Sequence, residues 1–228
     1  SRRAQRGGMP RQVDFVRVVN PGRSSEESIL ARMQTGPGTP FSAPTLAADL
    51  GKIYETGYFE TVDFRIAEED GHTGLLIRPV EKSWGPTYVR FGIHADDDFQ
   101  GGAAYGLLIG IQRTQINRLG GEWKTDIEIG SRRRLFSEFY QPLDPGGHFF
   151  VAPAVHLDRR PYDFYVGDSK TAEYQATTSE VRIDAGLRIG SRGEARIGLV
   201  HGSEDGDLHT GPLLPEYHGT RAGIEGRL

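Results

Sequence analysis

"TYVRFGIHAD", residues 87–96, carries Val89, Phe91, Ile93 and Ala95 at odd positions and Tyr88, Arg90, Gly92, His94 and Asp96 at even ones. Successive side chains on a strand point to opposite faces, so this stretch has one apolar face and one polar or small one. The same parity governs 103–114, where Tyr105, Leu107, Ile109 and Ile111 face away from Gly106, Gly110, Gln112 and Thr114. It governs 122–130, where Trp123, Ile127 and Ile129 oppose Lys124, Asp126 and Glu128. Phe149, Val151, Val155 and Leu157 follow, and then Val181, Ile183, Ala185, Leu187 and Ile189 alternate with Glu180, Arg182, Asp184 and Arg188, groups that cannot lie in a dry core. The pattern predicts one face against oil and one against water.

A soluble antiparallel sandwich also alternates, because one of its faces packs on a core. Strand length separates the two readings. Soluble strands run about five or six residues, whereas a strand crossing an outer membrane at a tilt needs roughly nine to eleven. Here 147–166 and 171–190 are two nearly unbroken segments joined by Gly167, Asp168, Ser169 and Lys170, which favours a membrane barrel. The lipid-facing set is then Val89, Phe91, Ile93, Tyr105, Leu107, Ile109, Trp123, Ile127, Phe149, Val151, Ile183 and Leu187, and the lumen-facing set Arg90, Asp126, Arg182, Asp184 and Arg188. Arg90, Arg182, Asp184 and Arg188 are expected to form a charged ladder across neighbouring strands.

Composition agrees without deciding. The 228 residues carry a net charge of -4 and a mean hydropathy of -0.48, and contain no apolar run of the roughly twenty residues a membrane helix requires. A barrel with a wet lumen averages its two faces in any window. There is no Cys, so neither disulfides nor thiolate metal sites are available. Residues 1–11 read as a linker. Residues 12–82 mix helix and strand signals, and a division is expected near 81–86.

In that first part, residues 12–19 alternate as a strand until Asn20, Pro21 and Gly22. Ser24 with Glu27 has capping-box spacing ahead of Ile29, Leu30 and Met33. Ser42 and Pro44 open a second helix with Leu46, Leu50, Ile53 and Tyr54 on one face, and Gly57 closes it. Residues 61–66 and 73–80 form a hairpin across Asp70 and Gly71. The order β-α-α-β-β makes a small sheet covered by two helices.

The frame "VDFVRVVNPG", "TGPGTPFSAPTLAADLGKIYETGYFETVDFRI" and "GLLIRPVEK", with Gly57, Tyr58 and Phe59 as its signature, resembles a POTRA domain, the periplasmic module of the BamA superfamily of outer-membrane proteins. Core packing accounts for Tyr58 and Phe59 without a binding role. Residues 112–155 are similar to the barrel of that superfamily, most of all to the branch in which a patatin-like lipase precedes one POTRA domain and a barrel (type V autotransporters). The resemblance implies a mainly β chain: a POTRA domain over 12–82, then about eight antiparallel transmembrane strands over 87–228, a half or shortened barrel where the family has sixteen. It implies a bacterial outer-membrane location with the POTRA domain in the periplasm, and a role in translocation, assembly or display of a polypeptide. The bilayer, a polypeptide client at the POTRA sheet edge along 61–80, and a second copy completing the barrel are the expected partners; no nucleic acid is expected. The alternatives are a structural anchor or narrow pore with no client, or the transporter part of a patatin-like phospholipase whose catalytic domain is absent.

No catalytic, cofactor or metal site is expected. The nearest string to a Gly-x-Ser-x-Gly elbow, 167–171, lacks the closing Gly, so Ser169 reads as a hairpin residue. Asp96, Asp97 and Asp98 read as a solvated acidic loop, and Arg132, Arg133 and Arg134 as a charged hairpin tip open to lipid phosphates. With the POTRA domain inside, 117–121, 144–147 and 191–194 become inner turns, and 96–102, 131–134, 167–170 and a long loop over 201–219 become outer connections.

Overall fold

The computed structural model describes residues 11–97, 103–166, 169–189, 193–211 and 216–228. The chain forms two sheets. In the first part β1 (Phe15–Val18), α1 (Glu26–Leu30), α2 (Ala43–Tyr54), β2 (Phe59–Glu69) and β3 (His72–Glu81) follow in that order. The sheet order is β1-β3-β2, with β1 parallel and β2 antiparallel to β3. Val13, Val16, Ile29, Leu46, Ile53, Phe59, Leu75 and Ile77 make its core between sheet and helices.

Local chemistry explains the helices. The Ser42 side chain accepts from Thr45 N and caps α2, with Pro44 in the first turn where no amide partner is needed. Gly57 follows the helix at φ +78, a left-handed conformation that a side chain disfavours. The cap of α1 is Ser25, accepting from Ser28 N, one residue later than the Ser24–Glu27 spacing suggests. Ser24 is drawn off as an acceptor for Gln115 Nε2 at 3.0 Å. The helix ends at Leu30, so Met33 packs on the core from a turn rather than from a helical stripe. Tyr54, expected on the inner face of α2, is exposed, and Asp49 is buried in its stead. Burial alone would raise the Asp49 carboxyl, but backbone amides of Gln34 and Thr35 outweigh it and hold the group below its usual value. The side chain pins that loop to the helix (Thr35 N to Oδ2, 2.8 Å).

The second sheet is an eight-stranded antiparallel meander, β4 (Thr87–Asp97), β5 (Ala103–Arg113), β6 (Glu122–Gly130), β7 (Arg133–Pro142), β8 (Phe149–Val166), β9 (Ser169–Ile189), β10 (Gly193–Thr210) and β11 (Tyr217–Arg227). Among the described residues it is open, with β4 and β11 as its edges. The fold is therefore mainly β: an eight-stranded sheet and a small three-stranded one. The long outer loop expected over 201–219 is a correction: most of it is strand, β10 running to Thr210 and β11 starting at Tyr217. Its polar sequence hides the strands because His201–Thr210 lies past the apolar band and needs no apolar face. Asp96 and Asp97 likewise end β4 rather than forming a loop. Asp98, Gly167, Asp168 and the 190–192 turn lie outside the described residues, and Ser169 opens β9.

Candidate membrane-spanning sheet and its junction

Register sorts the side chains. Phe91, Ile109, Ile127, Leu135 and Leu157 lie in one cross-strand row, and Pro153, Ile183, Leu199 and Ile224 in another. These rows share one face, on which Val89, Phe91, Ile93, Tyr105, Leu107, Trp123, Phe149, Ile183 and Leu187 are exposed while Ile109, Ile127 and Val151 are half-covered by neighbours. Parity is odd through β10 and even in β11, where Ala222, Ile224 and Gly226 occupy this face. From Phe149 to Leu157 the band occupies about nine residues, the length a tilted crossing strand needs.

The strands β8, β9 and β10 have 18, 21 and 18 residues, against 9 to 11 for the other strands of this sheet. At a rise of about 3.4 Å per residue they extend roughly 25 Å farther. Above Leu157, Val181 and Leu199 their amphipathicity inverts. The formerly apolar face becomes Arg159, Thr177, Ser179 and Ser203, while Tyr162, Tyr174 and Leu208 align on the other.

The opposite face carries charge in separate groups rather than one continuous ladder. Arg90 lies 3.7 Å from Asp126, which Lys124 also approaches at 3.0 Å. Across β7 to β11, Arg196 contacts Glu138 at 2.8 Å, Glu194 at 2.7 Å and Asp184 at 3.5 Å, and its guanidinium lies over the Phe150 ring. Asp184, 1% exposed, also contacts Arg227, while Arg182 holds Glu180 at 2.8 Å and Glu225 at 3.1 Å. Gly198, opposite Asp184, leaves the space: a Cβ there would collide with the carboxylate. Arg188 stands apart at the strand end, donating to Tyr140 Oη at 3.1 Å. Asp184 is on the face the sequence assigns it, but Arg196, Glu138 and Glu194 escape a reading of the sequence because nothing in a single strand shows which charges become cross-strand neighbours.

The small sheet abuts one end of the large one. Tyr58 Oη donates to Glu122 Oε1 at 2.7 Å, Ser28 Oγ to Arg118 O at 3.1 Å, Arg32 Nη1 to Pro145 O at 3.1 Å, and Gln115 Nε2 to Ser24. The contacts reach the β5–β6 and β7–β8 turns, 114–121 and 143–148. Burial and the neighbouring Glu122 carboxylate push the Tyr58 hydroxyl well above its ordinary value, so it stays a proton donor. Burial lowers the Arg32 guanidinium, with Arg188 adding to the effect. Phe59 is in the core and the Tyr58 ring packs against that core, as expected, while the Tyr58 hydroxyl also joins the two sheets, a role its sequence context does not show. The expected client edge over 61–80 also narrows: β3 lies between β1 and β2, so the long free edge is that of β2.

Among the described residues no three His, Cys, Asp or Glu stand close enough to hold a metal ion, and no helix is long and apolar enough to cross a membrane, which says nothing of strands.

No protein-family model matches the chain, and no curated protein matches it significantly. Solved structures do. The crystal structure of BamA from Haemophilus ducreyi lacking POTRA domains 1–3 superposes with a TM-score of 0.70 at 13% identity, over 95% of this chain and 43% of that one. CdiB from Acinetobacter baumannii gives 0.58 at 12% identity, over 93% and 41%. The chain has their fold. It spans less than half the length of either.

Proposed function

We propose that the eight-stranded sheet crosses the bacterial outer membrane as part of a BamA-type barrel, with residues 12–82 as a periplasmic POTRA domain, and that the protein acts in translocation, assembly or display of a polypeptide. One observation carries this reading: the apolar rows run from β4 to β11 on a face that nothing among the described residues covers. In water such a surface is far larger than a soluble monomer tolerates; in hydrocarbon it is the expected exterior. The opposite face, with its paired charges, suits a hydrated interior. A client strand would add to the free edge of β2, where Phe64 and Ile66 are partly exposed, through main-chain hydrogen bonds. The likeness of residues 112–155 to the patatin-linked branch makes a lipase the expected passenger.

The open edges need partners, since each unmet backbone group in hydrocarbon costs several kcal/mol. β4 and β11 each have 11 residues and run in opposite directions. A second copy related by a two-fold axis along the membrane normal would therefore pair antiparallel at both seams. Mass measurement in detergent checks this closure, and a strictly monomeric species would remove it.

The membrane reading is tested on a chain with no native Cys. Single cysteines at Ile93, Ile183 and Ile224 should resist a water-soluble maleimide in outer-membrane vesicles until detergent is added, and cysteines at Arg90 and Arg182 should react beforehand. The reverse pattern would overturn it.

A further inference from the structure

Three consecutive arginines run from the β6–β7 turn into β7, and the sheet sorts them. Arg132 faces the interior side and binds Asp158 through two hydrogen bonds of 2.6 and 2.8 Å, and Arg134 stands 3.4 Å from Glu128. Arg133, between them, lies on the apolar face, and its cross-strand partner there is Arg159. Like charges directly opposite each other on an antiparallel pair repel and destabilise it. Neither arginine has an ion-pair partner among the described residues. The pair sits one cross-strand step beyond Leu135 and Leu157, at the upper limit of the apolar band.

Because β7 begins there while β8, β9 and β10 continue, the step leaves a recess of about 270 Å³ lined by Gly130, Ser131, Arg133, Arg159, Gln175 and His209. It offers two guanidiniums, an imidazole, an amide and a hydroxyl, and no carboxylate lines it. Lys170 already holds Asp163 at 2.8 Å and Glu173 at 3.0 Å farther along the strands. Two exposed guanidiniums one cross-strand step beyond the apolar Leu135 and Leu157 call for an amphiphilic anion. Guanidinium is suited to phosphate because its paired N–H groups match two oxygens at once.

We propose that this recess binds the phosphate of a lipid headgroup, with the lipid's acyl chains lying along Leu135 and Leu157. The anion offsets the Arg133–Arg159 repulsion and fixes the depth of the sheet at its outer rim. The inference rests on the membrane reading above.

The test uses the full chain in zwitterionic micelles, with native mass spectrometry to count bound lipid and a thermal melt to follow folding. The probes are phosphatidic acid, diacylglycerol with the same chains, and inorganic phosphate. The wild type should retain phosphatidic acid over diacylglycerol, and R133Q or R159Q should each weaken that binding about tenfold, the effect of losing one charge-assisted contact. R160Q, on the opposite face, should leave it unchanged. In lipid-free micelles R133Q/R159Q should melt no lower than wild type, because the repulsion is gone. Equal phosphatidic acid binding by wild type and the double variant would overturn the site. Stabilisation by inorganic phosphate alone matching that of the lipid would assign the recess to a free anion and overturn the lipid reading. A double variant that melts first without lipid would make the arginine pair a structural element and overturn the lipid reading as well. A chain that passes the cysteine test yet shows no phosphate preference sinks this inference alone; failure of the cysteine test sinks the membrane reading beneath it.

Discussion

Arg196 is the hub of the interior charge network, and its replacement by Met tests whether that network holds the strands together. The side chain is 13% exposed and faces three carboxylates, of which Asp184 is 1% exposed and Glu138 18%. Glu194, 43% exposed, is screened by water and adds little. At 3.5 Å and an effective dielectric of about 20 one unit pair interacts by roughly 5 kcal/mol before desolvation is counted. Removing one member of a buried pair typically costs about 3–5 kcal/mol, because the partner is left charged and dry. R196M should therefore destabilise the protein by about 3–4 kcal/mol, less than the upper limit because Asp184 retains Arg227. D184N in the R196M background should restore about 1–2 kcal/mol by removing the stranded charge, a coupling expected of residues in direct contact. Urea titration of the protein in micelles, followed by tryptophan emission, gives both numbers. A loss below about 1 kcal/mol for R196M, or no recovery in the double variant, would refute the reasoning: the interior would then be wet enough to solvate every member separately.

Three further outcomes follow from the geometry. Y58F removes a hydrogen bond to a charged, partly buried acceptor, so the Tyr58–Glu122 coupling measured by a double-mutant cycle with E122Q should be about 1–2 kcal/mol; proteolysis in the 82–86 connection should accelerate in step, and an unchanged cleavage rate would count against a fixed junction. At the β7–β8 turn, burial would raise the Asp144 carboxyl, but the Phe149 amide and the His148 side chain and amide outweigh it and hold the group at about 2. A lowered folded value means stability that is present above the unfolded value of about 3.9 and is lost as pH falls toward 2, about 1 kcal/mol once water screening at this open turn is allowed for; D144N should flatten the acid limb of a melting-temperature profile. G57A adds a Cβ that meets nothing within 4 Å but must adopt φ +78, so it should cost about 1 kcal/mol through the backbone alone; a melt unchanged from wild type would show that this turn relaxes.

Alternation makes the large sheet readable because it is a one-strand property. Val89, Phe91 and Ile93 declare a face without reference to any neighbour, and eight such strands can be counted before their pairing is known. The small sheet is readable for a related reason: Ser42, Pro44 and Gly57 mark helix ends by local backbone chemistry. What stays hidden depends on contacts between segments distant in the chain. Asp49 is polar on a face that periodicity marks as apolar, and only the Gln34 and Thr35 amides of another segment explain its burial. Tyr58 and Phe59 are adjacent aromatics that both pack on the core, yet the Tyr58 hydroxyl also joins two sheets, a role set by where Glu122 lies. The polar end of β10 is legible only as loop, since residues 201–207 place no apolar side chain on either face.

Arg132, Arg133 and Arg134 show both kinds of information at one place. As a sequence they are a charged hairpin tip with three equivalent members. Strand parity already divides them, two to one face and one to the other, but gives no partners. Pairing then supplies the asymmetry: the two interior arginines meet Asp158 and Glu128, and the exterior one meets Arg159. A protein that neutralises two of three consecutive charges and sets the third against a like charge has placed an unmet electrostatic demand at a defined height on its apolar face. That height is where strand polarity inverts, so the demand and the proposed membrane boundary coincide through the same register. A lipid phosphate satisfies the first only if the second is real.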